Sequence, residues 1–258
     1  MSEVKQKRIQ ISPEQNACLT FYPPNSKMGM HEHEGHQISV TLSGSLSESS
    51  NRSQQEIFTP SLCTKPAEFG HANHYGEHGT LIFSLNFSKQ AFNEYADDVD
   101  ISWFWQPLTT KPLLQMLKQS VKGMMVNNES FQQQLLWDLL AIRQGESLNA
   151  ERQKVSWLSK AKQYIEDSTD NINLTQLAVE LGIHPVYFSR SFSKHYGCTP
   201  SLYQQRCKVS RALNSLSKNK VLVDIAHDTG FTDQSHFTRL FKQEVGFTPR
   251  QLKQLLAG

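Results

Sequence analysis

Apolar and polar positions along this chain fall into three textures. From about residue 15 to 100 the period is two: Gln37-Ile-Ser-Val-Thr-Leu-Ser-Gly44 alternates apolar and polar side chains, and Thr80-Leu-Ile-Phe-Ser-Leu-Asn-Phe87 is a second such segment. Pro60, Pro66, Gly70, Gly76 and Gly79 punctuate between them as turns do. Many short strands separated by turns predict a sandwich or barrel over residues 1–110.

From Lys111 to Gln144 the period becomes helical. Leu113, Leu114, Leu117, Val121 and Met124 recur at spacings of three and four, and after a polar break at Asn127-Asn128-Glu129 come Leu135, Leu136, Leu139 and Leu140. Two amphipathic helices over 111–144 would turn an apolar face to the β unit, to a second copy of the chain, or to both. Residues 145–154 are polar and read as a linker.

The third texture, residues 155–258, is helical and repeats itself. Gly182-Ile183 aligns with Gly230-Phe231 and Ala178 with Ala226 at one offset. After one extra residue, Phe188-Ser189-Arg190 aligns with Phe237-Thr238-Arg239, Phe192 with Phe241, and Gly197-Cys198-Thr199-Pro200 with Gly246-Phe247-Thr248-Pro249. One supersecondary unit is used twice. In the first unit Asn173 is a plausible N-cap before Leu174, Leu177, Ala178 and Leu181, Gly182 suits a left-handed exit, and Pro185 opens a second helix. In the second unit Thr232 is the expected N-cap of a helix to about Glu244. Val209, Ala212, Leu213 and Leu216 predict a connecting helix of about 15 residues, spanning roughly 22 Å.

Charge sharpens this division. The net charge is only +2, but from Glu151 onward there are 15 Lys/Arg against 9 Asp/Glu, and before it 11 against 15. A basic C-terminal half joined to an acidic N-terminal half suits a polyanionic partner for the former alone. Cys18, Cys63, Cys198 and Cys207 lack paired metal-ligand spacing, the N-terminus is too polar for a signal peptide, and no apolar run is long enough to span a membrane. A cytoplasmic address is expected.

A helix fits the major groove, and a preceding helix at a steep angle braces it against the backbone. Positions in the early turns of each second helix that face away from the Phe core are Val186, Ser189 and Arg190, then Gln234, Ser235, Thr238 and Arg239. Arg can donate twice to guanine, Gln can pair with adenine, and Val can touch a thymine methyl. Lys194, Lys208, Lys218, Lys220 and Lys242 are candidates for phosphate contact.

Residues from about Trp157 to Leu255 resemble the C-terminal DNA-binding domain of the AraC/XylS family of bacterial transcription regulators. The resemblance is carried above all by Ile225-Ala226, Gly230-Phe231, Asp233, Ser235, Phe237, Arg239, Phe241-Lys242, Gly246 and Thr248-Pro249. It departs at Lys208, where the family usually has Arg, and at Leu252-Lys253, where an aromatic and Arg are usual. The resemblance implies two reading helices in successive major-groove segments about one turn apart. The implied partners are double-stranded promoter DNA, a small-molecule effector, a second copy of the chain and, for an activator, RNA polymerase.

The N-terminal half is similar to the small cupin-like barrel of many such regulators, through His31-x-His33 leading to Gln37 and Gly44, and Pro66 followed by His71. The fold class is thus α+β and multidomain. Strand alternation would put His31 and His33 on one face. In metal-binding cupins a carboxylate stands where Gln37 is, and His36, His74 and His78 add imidazoles nearby. Three uses stay open: structural histidines, a transition-metal site, or an effector pocket of His31, His33, Gln37 and His71. The last is the expectation, with no metal or cofactor assigned. A metal-dependent cupin enzyme or metal sensor fused to the DNA-binding half is the alternative. The missing carboxylate counts against catalysis, and no nucleophile elbow or phosphate loop is present.

Overall fold

Period-two alternation becomes an antiparallel sheet of eight strands in the computed structural model, which describes residues 3–51, 53–58, 60–96, 101–108, 111–125, 156–168, 172–218 and 220–257. The strands are β1 (Lys5–Ser12), β2 (Gln15–Tyr22), β3 (Lys27–His31), β4 (His36–Ser49), β5 (Gln54–Ile57), β6 (Ser61–Lys65), β7 (His71–Phe87) and β8 (Phe104–Pro107). Helix α1 (Lys89–Ala96) lies between the last two. The order is β1-β2-β7-β4-β6-β8, with β3 added to β7 and β5 to β4.

Strands β4 and β7 are the spine. The first part of β4 pairs with 80–87 of β7, and the register then shifts at Thr41/Ser43 and Gly44/Leu46 before its last part pairs with 72–75. On the far side of β7, β2 flanks 80–87 while β3 flanks 71–74. On the far side of β4, β6 and β5 divide the strand in the same way. Two small sheets thus share two long irregular strands, giving the cupin-like barrel expected from the sequence. Gly76 and Gly79, expected to separate strands, instead lie inside β7 between its two pairing segments. Bulges let one strand serve two sheets without a turn.

The alternation sorts side chains as predicted. Leu19, Phe21, Ile38, Val40, Leu81 and Phe83 are buried in one apolar cluster, each contributing about 1.5–3 kcal/mol by leaving water. That cluster continues into the helices. Leu114, Leu117, Val121 and Met125 of α2 (Lys111–Met125) belong to it, as do Val209, Ala212, Leu213 and Leu216 of α6 (Pro200–Ser217). These four side chains of α2 are therefore spent inside the chain's own core. The predicted second helix of that hairpin, with Leu135, Leu136, Leu139 and Leu140, lies outside the described residues, as does the whole of the 145–154 linker.

The remaining helices are α3 (Ser156–Asp167), α4 (Leu174–Glu180), α5 (Pro185–Tyr196), α7 (Leu222–Asp228), α8 (Gln234–Val245) and α9 (Pro249–Ala257). Arg211 Nη2 on α6 donates to the Glu166 carbonyl at 2.6 Å, tying the C-terminal end of α3 to the connecting helix. Ser43 and Ser210 hydroxyls meet at 3.2 Å between barrel and helices. No helix among the described residues is long and apolar enough to cross a membrane.

Candidate functional site

The two C-terminal units match element by element. Helices α4 and α7 are seven residues each, and α5 and α8 are twelve each. After α4 and α7 the chain turns through Gly182 (φ +70°) and Gly230 (φ +73°). Ile183 N donates to Ala178 O at 2.8 Å and Phe231 N to Ala226 O at 2.9 Å, closing the same Schellman-type exit in both units. Only a residue tolerant of left-handed geometry fits there.

The caps follow the sequence with one correction. Asn173 accepts from Thr175 N and Gln176 N as predicted, and Thr199 accepts from Leu202 N. His184 caps α5 through its ring, ahead of Pro185. Helix α8, however, is capped by Asp233, whose carboxylate accepts from His236 N at 2.8 Å, and not by Thr232. Thr232 Oγ1 instead lies 3.3 Å from His236 Nδ1, one residue outside the helix. The connecting helix runs longer than expected, eighteen residues, or about 27 Å, because it begins at Pro200, well before the Val209 stripe.

Phe188 and Phe192, then Phe237 and Phe241, are buried at equivalent places and anchor α5 and α8. The opposite faces carry the predicted residues. Val186, Arg190, Gln234, Ser235 and Arg239 are exposed, while Ser189 and Thr238 are half-buried. The repeat pairs Val186 with Ser235, Ser189 with Thr238 and Arg190 with Arg239. Tyr187, 58% exposed, joins that surface and was missed. Its twin His236 suggests that the aligned position should have been read in both units.

The phosphate candidates divide. Lys194, Lys218 and Lys242 are exposed. Lys208 is not available: it is buried, and its Nζ donates to Gly230 O at 2.6 Å, bracing the turn of the second unit. Lys220 pairs with Asp228 at 2.9 Å on the surface.

In the barrel, the histidines expected together do converge. Ring centroids are 5.1 Å apart for His31–His33, 4.3 Å for His31–His71 and 5.3 Å for His33–His71, and one ligand atom from each lies within 4.8 Å of the others. His33 reaches this place from beyond the end of β3 rather than by strand alternation. His31 Nδ1 lies 2.8 Å from Gly29 O and His71 Nδ1 lies 2.9 Å from Phe69 O. A carbonyl can only accept, so Nδ1 carries the proton in each and Nε2 keeps a lone pair. Burial, then the Lys65 ammonium, pulls His71 down to about 4, and burial lowers His33 too. Both rings are neutral at pH 7.

Gln37 is held from both ends: its Nε2 donates to Asn86 Oδ1 at 2.9 Å, and Lys65 Nζ donates to its Oε1 at 3.4 Å. The sequence reading overlooked Glu48. It is fully buried, forms an ion pair with Lys65 at 2.9 Å, and accepts from the indoles of Trp103 at 2.6 Å and Trp105 at 2.9 Å. Burial alone would raise its pKa, but Lys65 and Trp103 outweigh that and hold the carboxyl below the usual range. Its position two residues after inward-facing Leu46 was the available signal. These side chains line a cavity of about 50 Å³, enough for a few water molecules or a small polar group. Three imidazole lone pairs with water as the fourth ligand also fit a divalent transition metal. His36, His74 and His78 do not join them: His36 packs on Phe92, His74 is exposed, and His78 faces the helical half.

Residues 177–254 match the helix-turn-helix domain family. Over 95% of both chains the protein is 23% identical to the HTH-type transcriptional activator RhaS of Shigella sonnei and, likewise, to RhaS of Escherichia coli SMS-3-5. Among solved structures it is similar to ToxT from Vibrio cholerae, with a TM-score of 0.41, 12% identity and 99% of each chain covered. Residues 177–254 thus carry a helix-turn-helix domain of the matched family, and the doubled unit behind a cupin-like barrel is the arrangement that the AraC/XylS resemblance implies.

Proposed function

We propose that this regulator reads promoter DNA with α5 and α8, and that a small ligand in the barrel pocket modulates the reading. One observation carries the first part. Two twelve-residue helices, each anchored by two buried phenylalanines, present aligned outward side chains that include Arg190 and Arg239. Neither arginine has an ion-pair partner among the described residues. Val186, Ser189 and Arg190 read one groove segment; Gln234, Ser235, Thr238 and Arg239 read the next. Lys194, Lys218 and Lys242 touch phosphates.

The effector reading rests on the polar, pre-arranged pocket. His31, His33, His71 and Gln37 offer neutral acceptors and an amide to a small polar molecule. The close approach of three imidazoles, two of them (His31 and His71) with Nδ1 protons fixed by backbone carbonyls, favours a second reading, a transition-metal ion as the signal. Pairing of two copies on adjacent sites, and contact with RNA polymerase at an activated promoter, extend the proposal. The role is regulatory, not catalytic.

The test is selection from a random duplex library with the full chain, followed by competition. A recovered site should bind at least a thousandfold more tightly than bulk competitor DNA; no enrichment would refute the reading. The metal alternative requires one equivalent of Zn²⁺ to bind with loss in His33→Ala and His71→Ala, and unchanged zinc binding in both would remove it.

A further inference from the structure

The two helices proposed to read DNA start on different chemistry. Helix α8 is capped by the Asp233 carboxylate. The N-cap of α5 is an imidazole: His184, with extended backbone, accepts from Val186 N at 3.3 Å through Nδ1. Pro185 has no N–H, so the first turn of α5 brings only the Val186 and Tyr187 donors to be satisfied, and the His184 ring takes one of them. Packing does little to hold that turn. Val186 is 53% and Tyr187 58% exposed, and the first buried anchor is Phe188. The cap therefore sets where the helix begins, and it sits on the amide of a residue proposed to read a base.

A backbone N–H can only donate, so Nδ1 holds a lone pair and the ring proton is on Nε2. Only the neutral ring can do this. An imidazolium has no acceptor left, and its charge opposes the positive end of the helix dipole. Imidazole takes up that proton about two to three pH units above a carboxylate, so an imidazole cap fails in acid well before a carboxylate cap does. No counter-charge offsets the effect. Glu180 of α4 accepts from Gln176 Nε2 at 3.0 Å, Lys162 and Glu166 of α3 pair with each other at 3.0 Å, and the charged groups of α5 itself, Arg190 and Lys194, are basic. Among the described residues none of these forms an ion pair with His184.

We infer that His184 is a positioning residue for DNA reading: its neutral ring fixes the first turn of α5, and acid releases that turn while α8 keeps its own. The inference rests on α5 and α8 being the reading helices. Its consequence is an uneven loss of grip, in which acidification loosens the first unit and spares the second.

Two measurements on the full chain test it. Without DNA, nitrogen resonances of the His184 ring at about pH 7.5 should show an unprotonated Nδ1, and the Val186 amide should shift as the ring titrates toward about pH 5.5. A protonated Nδ1, or a Val186 amide indifferent to the ring, would overturn the cap. On a selected duplex, quantitative hydroxyl-radical footprinting at the same two pH values should show the α5 patch weakening about fivefold relative to the α8 patch in acid, the equivalent of one typical lost cap. His184→Asn caps without titrating, so the ratio of its patches should be that of the wild type at high pH and should stay there in acid. His184→Ala should show the weakened α5 patch at both pH values. Two patches whose ratio ignores pH in the wild type, an α5 patch strengthened by acid, or an undiminished pH response in His184→Asn would overturn the inference alone. No patch at either pH would overturn the DNA reading as well.

Discussion

Lys118 Nζ on α2 donates at 2.8 Å to the carbonyl of Gln243 in the last turn of α8. A cation at the C-terminal end of a helix meets its negative pole, so α2 is bonded to the end of α8. Burial pulls this ammonium from 10.5 to about 8, with Glu244 resisting in part. Between those values the unfolded chain binds more protons than the folded one, so the residue's contribution to stability rises with pH; below pH 8 the cost of burying the charge is present in full. Relative to Lys118→Met, the wild type should gain unfolding free energy from pH 8 to 10, on the order of 1–3 kcal/mol. Urea denaturation at four pH values reads the difference, and a flat or falling difference contradicts it.

Gly246, at φ +91°, ends α8 with Lys118 pressed against it: a Cβ there would sit 3.1 Å from Lys118 Cβ. Gly182 has a similar φ of +70° and open space. Left-handed geometry alone costs alanine about 1–2 kcal/mol. Gly246→Ala should therefore lower stability more than Gly182→Ala, as measured by thermal unfolding. Equal losses would mean that α2 does not crowd the helix end.

The Glu48–Lys65 pair is buried on both sides. Removing one member strands a charge, so Glu48→Leu should cost about 3–5 kcal/mol, while Glu48→Leu with Lys65→Leu should recover much of it. A double-mutant cycle by chemical denaturation decides, and additive losses would show that the two charges act independently.

Lys208 and Lys242 separate stability from DNA contact. Lys208→Met leaves the Gly230 carbonyl without its donor and should cost about 1–3 kcal/mol of folding free energy, with no change in the salt dependence of DNA binding. Lys242→Ala should leave stability alone and reduce the slope of log affinity against log salt by about one. The reverse assignment would refute the division.

Where the chain's own local chemistry decides the outcome, the sequence was readable. The Asn173 cap, the Gly182 turn, the paired phenylalanines and the alternation along β4 and β7 all depend on residues within a turn or two. What escaped were long-range pairings. Nothing beside Lys208 in the chain says that Gly230 lies against it, and Glu48 becomes intelligible only when β6 brings Lys65 to it and the chain near β8 brings Trp103. The Thr232 cap failed because two good capping residues are adjacent and geometry, not residue type, chose Asp233. Convergence of His31, His33 and His71 was implied by the cupin resemblance rather than by spacing, and a loop, not a strand, delivers His33.

Arg239 carries a specific expectation. Arg239→Ala should cost about 1–3 kcal/mol on a selected site and relax discrimination at one base pair. An equal loss on random DNA would place the guanidinium on phosphate instead.

The central claim is that α5 and α8 enter successive turns of one major-groove face. Hydroxyl-radical footprinting of the full chain on a selected duplex tests it most directly. The account predicts two protected patches on the same face, centred about 10–10.5 bp apart, with Arg190→Ala weakening one and Arg239→Ala the other. A single patch, or two patches both lost with either substitution, would contradict it.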